Sequence, residues 1–152
     1  MSVEFRRYVE SDIEELLDRL QENLSCRDAL RPQGFSREKV KNLLVGNLKN
    51  TQFFCTVAVL NKKIIGCFCA SVCTFIFSYE AQAADHIFLI LKEHRSILVA
   101  TGLVVAYIEW AKARKVKKAE LRNVTGEDIE LFAKLAERFG FKLIGTYHAL
   151  EF

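Results

Sequence analysis

The sequence holds one proline, Pro32, and seven glycines in 152 residues. That scarcity excludes a flexible linker or a low-complexity spacer, which depend on such residues. No signal peptide is expected: Met1 to Tyr8 is short and charged, and an acidic segment follows. No apolar run reaches the roughly 20 residues of a spanning helix. The nearest, Ser96 to Tyr107, runs directly into Glu109, Lys112 and Arg114. Charge of one sign is also scarce. A net charge of +3 permits an anionic partner without requiring nucleic acid. No G-x-x-x-x-G-K-[ST] run is present, so a nucleoside triphosphate loop is not supported.

The cysteines lack the paired knuckle spacing of structural zinc sites. Cys67, Cys69 and Cys73 share strand parity, and Cys55 lies in the strand expected beside them. They read as reduced core thiols, with no metal. Five cysteines is an odd number, and with no signal peptide it points to a reducing, cytoplasmic location.

What is present is the composition of a soluble globular chain, 51% hydrophobic and 27% charged, expected to form a single domain over residues 1–152. Glu4 to Tyr8 reads as a first strand. Ser11 and Glu14 have capping-box spacing before a helix carrying Ile13, Leu16, Leu17 and Leu20. Ser36 caps a second helix with Val40, Leu43, Leu44 and Leu48 on one face. Phe53 to Leu60 and Ile64 to Phe77 read as a hairpin turned at Asn61-Lys62-Lys63, with a bend or bulge near Ser71. His86 to Leu91 is a strand. Leu98 to Arg114 is a helix buried on most sides through Leu98, Val99, Gly102, Val105, Ala106 and Trp110, with Gly102 admitting a close neighbour. Ala119 to Val124 is a strand. A last helix follows, capped by Thr125 with Asp128 at the box position, faced by Ile129, Phe132, Ala133, Ala136 and Phe139 and stopped by Gly140. Phe141 to Tyr147 is the final strand. The order β-α-α-β-β-β-α-β-α-β predicts an α/β mixed sheet with helices on both faces, mostly antiparallel with a parallel central pair.

Three features bear on chemistry. His86 alternates with Phe88 and Ile90 and so is placed on their side of the strand. Asp85 and Glu80 stand just upstream, and any of Glu80, Asp85 and His86 can take a proton from an amine, directly or through water. His94 and His148 lie in other elements, with no ligand spacing. Lys112, Arg114, Lys115, Lys117 and Lys118 form the most basic region; they suit a solvated helix end or a phosphate contact, and no aromatics interleave with them. The strand His86 to Leu91, then Glu93-His94-Arg95-Ser96, then a helix, is a strand feeding a helix N-terminus. Free amides and the helix dipole make that junction an anion site, and Arg95 adds a donor suited to phosphate.

The element order, the segment HIFLILKEHRSILVATGLVVAYIEWAKARKVKKAELRNV and the later AERFGFKLIGTY resemble the GNAT superfamily of N-acetyltransferases. The resemblance covers nearly the whole chain and is most specific from about Ala84 to Tyr147. It implies acetyl transfer from acetyl-coenzyme A to a primary amine of a small molecule or a protein. In that family an Arg/Gln-x-x-Gly-x-Gly/Ala loop receives the cofactor pyrophosphate. Arg95 matches its first position and Ala100 its last, and Leu98 replaces the middle glycine. The resemblance thus implies cofactor contacts along Arg95, Ser96, Ile97, Leu98, Val99, Ala100 and Thr101. It implies others from the backbone of Phe88, Leu89 and Ile90 and from Asn123. Where the family often has a tyrosine that protonates the leaving thiolate, this chain has Ala136. Two other readings remain: a GNAT-fold protein that binds a partner without catalysis, and one that binds nucleic acid or modifies a nucleobase. No membrane partner is expected; a homodimer is compatible.

Overall fold

The computed structural model describes residues 2–152. A five-stranded sheet in the order β1-β2-β3-β4-β5 forms its centre. The strands are β1 (Glu4–Arg7), β2 (Phe53–Leu60), β3 (Lys63–Thr74), β4 (Ala81–Ile90) and β5 (Lys118–Ala119). Neighbours pair antiparallel except β4 with β5, which are parallel. The helices are α1 (Ile13–Leu24), α2 (Arg37–Gly46), α3 (Ile97–Ala113) and α4 (Ile129–Arg138). Among the described residues no helix is long and apolar enough to cross a membrane.

Each face of the sheet carries its own core. On one, Leu16, Leu17 and Leu20 of α1 and Leu44 of α2 pack on Cys55, Val57, Cys67, Cys69 and Leu89. On the other, Val99, Leu103, Val104 and Tyr107 of α3 pack on Phe54, Ala58, Phe68 and Ala70. The alternation of period 2 along β2 divides its side chains between the two cores. Cys55, Cys67 and Cys69 are buried free thiols, and Cys73 is half-buried. Among the described residues no cluster could hold a metal ion.

Several local expectations are corrected. Ser11 is not the cap of α1, because Glu10–Asp12 forms a 3-10 turn and Asp12 precedes the helix. The Asp12 carboxylate instead accepts from the Val9 amide and from Arg6. Ser36 does cap α2, accepting from the Lys39 amide. Asn61 and Lys62 both take positive φ, the combination a two-residue hairpin turn requires. β3 stops at Thr74, short of Phe77, and β4 starts at Ala81, so the break between them is shorter than the sequence suggests.

α3 is buried on one face only. Val99, Ala100, Leu103, Val104, Tyr107 and Ala111 face the sheet, whereas Leu98 and Val105 are exposed. Gly102 does admit a close neighbour: a Cβ there would lie 2.2 Å from the Phe5 ring. On α4 the buried residue is Leu135; Ile129 and Ala133 face solvent. Asp128, not Thr125, stands at the N-cap of α4, with φ 47°. The strand expected over Ala119 to Val124 shortens to Lys118–Ala119, and Phe141 to Tyr147 joins no ladder.

Candidate functional site

β4 and β5 begin as neighbours and then part. Lys117 N donates to Ala81 O and Glu120 N to Ala83 O, each at 2.9 Å. Beyond that point a side chain takes the ladder's place. The Asp85 carboxylate accepts from Arg122 N at 3.0 Å and from Arg122 Nε at 2.8 Å, and Arg122 Nη2 donates to Asp85 O. Asp85 is buried, and its hydrogen bond to the Arg122 guanidinium holds that group above its ordinary pKa.

A bulge reorients the rest of β4. Ala70 pairs with Asp85 and Cys69 with Ile87, so His86 is the extra residue. The sequence placed this irregularity near Ser71 on β3, whereas the inserted residue lies on β4. Parity inverts there: Ala83 packs on the α3 core before the bulge, Phe88 and Ile90 after it. Leu91 N donates to Ile65 O, so odd-numbered residues past the bulge bond to β3. The peptide groups of Phe88 and Ile90 therefore turn toward the opening beside β5, and Ile90 O accepts from Arg95 Nε at 3.5 Å.

The bulge also corrects the placement of His86. Its Nε2 lies 2.6 Å from Ser71 Oγ. Ser71 shares the strand parity of Cys67 and Cys69, which pack under α1. His86 thus stands on the α1 face of β4, not beside Phe88 and Ile90. Its ring lies partly against the protein, and this burial pushes its pKa below the ordinary histidine value.

The opening between the parted strands is a cavity of about 490 Å³. Of the residues singled out from the sequence, Asp85, His86, Phe88, Leu89, Ile90, Arg95, Ser96, Ile97, Ala100 and Asn123 line it. Glu80 does not; it sits in the turn joining β3 to β4, where its carbonyl accepts from the Phe75 amide. Leu98, Val99 and Thr101 also lie outside the lining. Leu98 points to solvent and Val99 into the core, so a side chain in the family's glycine position does not fill the cavity.

At the N-terminus of α3, Ser96 Oγ accepts from Val99 N, and the Ala100 amide bonds to Ser96 O. The amides of Ile97 and Leu98 remain as first-turn donors. Arg95 reaches across to the segment before α4: Nη1 is 3.0 Å from Asp128 Oδ2 and Nη2 3.4 Å from Glu127 Oε2. Glu127 also pairs with Arg27 from just beyond α1, and Arg27 above all holds that carboxyl below its ordinary pKa. Asn123 folds the same segment, accepting from Thr125 Oγ1 and Gly126 N and donating to Glu127 O.

The sequence reading missed Arg27, Arg122, Ser71 and the two carboxylates on Arg95. One signal was available for Arg122: Asp85 is a lone carboxylate inside an apolar strand, and such a group needs a buried partner. Ala136, at the family's tyrosine position, is absent from the lining. From α4 the lining takes Leu131, Phe132, Lys134, Leu135 and Arg138, none with a hydroxyl.

The sequence model of the Acetyltransferase (GNAT) family matches residues 13–141. A search of curated protein sequences gives no match. Among solved structures, the chain resembles a predicted acetyltransferase with acetyl-CoA from Clostridium acetobutylicum: TM-score 0.74, 16% identity, covering 99% of this chain and 96% of that one. It resembles AAC(6')-Iy in complex with a bisubstrate analogue, CoA-S-monomethyl-acetylneamine: TM-score 0.75, 14% identity, 99% of this chain and 98% of that one covered. A Trypanosoma brucei acetyltransferase aligns with TM-score 0.74 at 15% identity over 99% of this chain and 100% of that one. At these identities the likeness is one of fold. With the family match over most of its length, the chain belongs to the acetyltransferase (GNAT) family.

Proposed function

We propose that the protein transfers an acetyl group from acetyl-coenzyme A to a primary amine of a small molecule or a protein, with His86 as the general base. The observation that carries this reading is the parting of β4 from β5 after Ala83, which opens a cavity beside the peptide groups of Phe88 and Ile90. The donor set suits a polyanionic cofactor with a long polar arm. Arg27, Arg95, Arg122, Lys134 and Arg138 line the cavity, and the amides of Ile97 and Leu98 lie at a helix N-terminus. When bound, acetyl-coenzyme A supplies the thioester.

The chain's own residues supply position and proton transfer. Turned-out peptide N–H groups past the bulge offer a donor to an oxygen that gains charge. His86 holds its neutral form to lower pH than an ordinary histidine and so offers a free ring nitrogen to an ammonium acceptor. Ser71 fixes the ring by engaging Nε2, which leaves Nδ1 for the acceptor. Asp85 is committed to Arg122 and holds the strands apart instead of moving a proton. With no hydroxyl on the cavity face of α4, the thiolate leaves unassisted or takes its proton from water.

A calorimetric titration with acetyl-coenzyme A, followed by thiol release from a panel of amines, tests the reading. Saturable binding, weakened by Arg95→Ala and by salt, and amine-dependent thiol release are expected. Binding without release from any amine favours the non-catalytic reading, which the lack of an α4 hydroxyl supports. No binding at all rejects the cofactor assignment.

A further inference from the structure

Against the expectation of no membrane partner, we propose that the turn between β3 and β4 docks the protein on an anionic lipid surface, with no helix of the described residues crossing it. The turn carries Phe75-Ile76-Phe77-Ser78-Tyr79, with Ile76 82%, Phe77 85% and Tyr79 102% exposed. An apolar cluster of this kind marks an interaction surface, because leaving it in water is unfavourable. Its backbone is already ordered. Phe75 N donates to Glu80 O at 2.9 Å, Ser78 N to Phe75 O at 3.2 Å, and Glu80 N to Ser78 Oγ at 3.2 Å. The Phe75 and Phe77 rings meet edge to face at 5.6 Å. Little conformational entropy remains to be lost on docking.

The surroundings identify the partner. β5 runs beside the base of this turn, with Lys118 paired to Gln82 and Lys117 N bonded to Ala81 O. Lys118 Nζ lies 5.9 Å from the Phe75 ring centroid and 3.1 Å from Glu120 Oε1, a partly exposed pair that an anionic headgroup can replace. Lys115 and Arg114 precede it in the turn leaving α3, and Lys49 lies in the loop that enters β2 at this end of the sheet. An aromatic tip beside a basic segment matches a bilayer interface, where rings enter the headgroup layer and ammonium groups meet anionic lipid. A second copy fits poorly, because apposed tips would bring the same lysines together. The tip lies at the start of β4 and the α3 N-terminus follows its far end, so docking leaves the cavity open.

The test is sedimentation of the full chain with vesicles of phosphatidylcholine and phosphatidylserine, run beside pure phosphatidylcholine vesicles. Binding is expected only with the anionic lipid and is expected to fall as salt rises. Ile76→Ser with Tyr79→Ser should abolish it while the melting temperature stays unchanged, since both side chains stand in solvent. Lys117→Ser and Lys118→Ser should each weaken it by about fivefold. The proposal is overturned by equal binding to both vesicle types, by no binding at low salt, or by binding that the tip variant retains. It is also overturned if light scattering shows a dimer that the tip variant converts to monomer, for the tip would then be an interface between copies.

Discussion

At the residue scale, His86 is the residue we propose as general base, and its replacement is the most direct probe of that proposal. His86→Gln is expected to lower kcat by about 100- to 10,000-fold while acetyl-coenzyme A still binds. Burial depresses the imidazole pKa, and the neutral form is the base. Activity should therefore rise with pH along a limb centred below about 6.5, the unperturbed value. That limb should vanish in His86→Gln and move in Ser71→Ala, with the KM for acetyl-coenzyme A unchanged. The carboxylates on Arg95 give an opposite expectation. Glu127 and Asp128 stand where an anionic ligand would compete for the same guanidinium. Glu127→Gln with Asp128→Asn should tighten acetyl-coenzyme A binding severalfold in calorimetry, most at low salt. Asparagine tolerates the positive φ of position 128. His86, Asp85 and Arg95 were legible as single residues, and all three line the cavity. Their partners were not, because Ser71, Arg122 and Glu127 lie 15, 37 and 32 residues away, and nothing local in the sequence marks the pairing.

At the element scale, period decided what could be read. α1, β2 and β3 follow from helical spacing or from alternation, whereas on α2 only Leu44 of the expected face is buried: Leu43 is exposed, and Leu48 lies beyond the helix end at Gly46. α3 misled, because its residues are apolar all round while only one side meets the sheet. The strand past Ala119 misled for a different reason. Its pattern is strand-like, but the Asp85 and Arg122 side chains occupy the place of the next ladder bonds, and the cavity results from that interruption. The bulge at His86 is equally invisible to a period-2 reading, which puts His86, Phe88 and Ile90 on one face. Close approach, by contrast, was legible at Gly102. Gly102→Ala would put a methyl into the Phe5 ring and should cost about 1–3 kcal/mol in denaturant unfolding. Phe5→Leu in the same chain should restore part of that loss.

At the scale of the whole molecule, two cores share one sheet, and two arginines, Arg6 and Arg7, tie the first strand to the segments beside α1 and α2. Arg6 forks onto Asp12, and this hydrogen bond, opposed by burial, holds the Asp12 carboxyl below its ordinary pKa. A depressed folded pKa contributes stability above the unfolded value near 3.9, and that contribution fades as pH falls below about 4. Asp12→Asn should thus destabilise the protein by about 1–3 kcal/mol at neutral pH and by less in acid. Arg7 makes the corresponding tie to the loop after α2, donating to the carbonyls of Asn47, Leu48, Asn50 and Phe53.

Because β2 and β3 contribute side chains to both cores, neither core should come apart alone, and we propose that residues 1–152 unfold as one domain. Leu16→Ala empties a buried site under α1, and Leu103→Ala one under α3. Each should cost about 2–5 kcal/mol. If the sheet couples the cores, both variants shift the same transition. Trp110 packs against Phe54 on the α3 side, so its fluorescence reports one core, whereas far-ultraviolet circular dichroism reports all the helices. The two signals should coincide in the wild type and in both variants. A Leu16→Ala protein that lost helicity at a denaturant concentration where Trp110 still reported the native environment would show two independent units, and the single-domain expectation would fail.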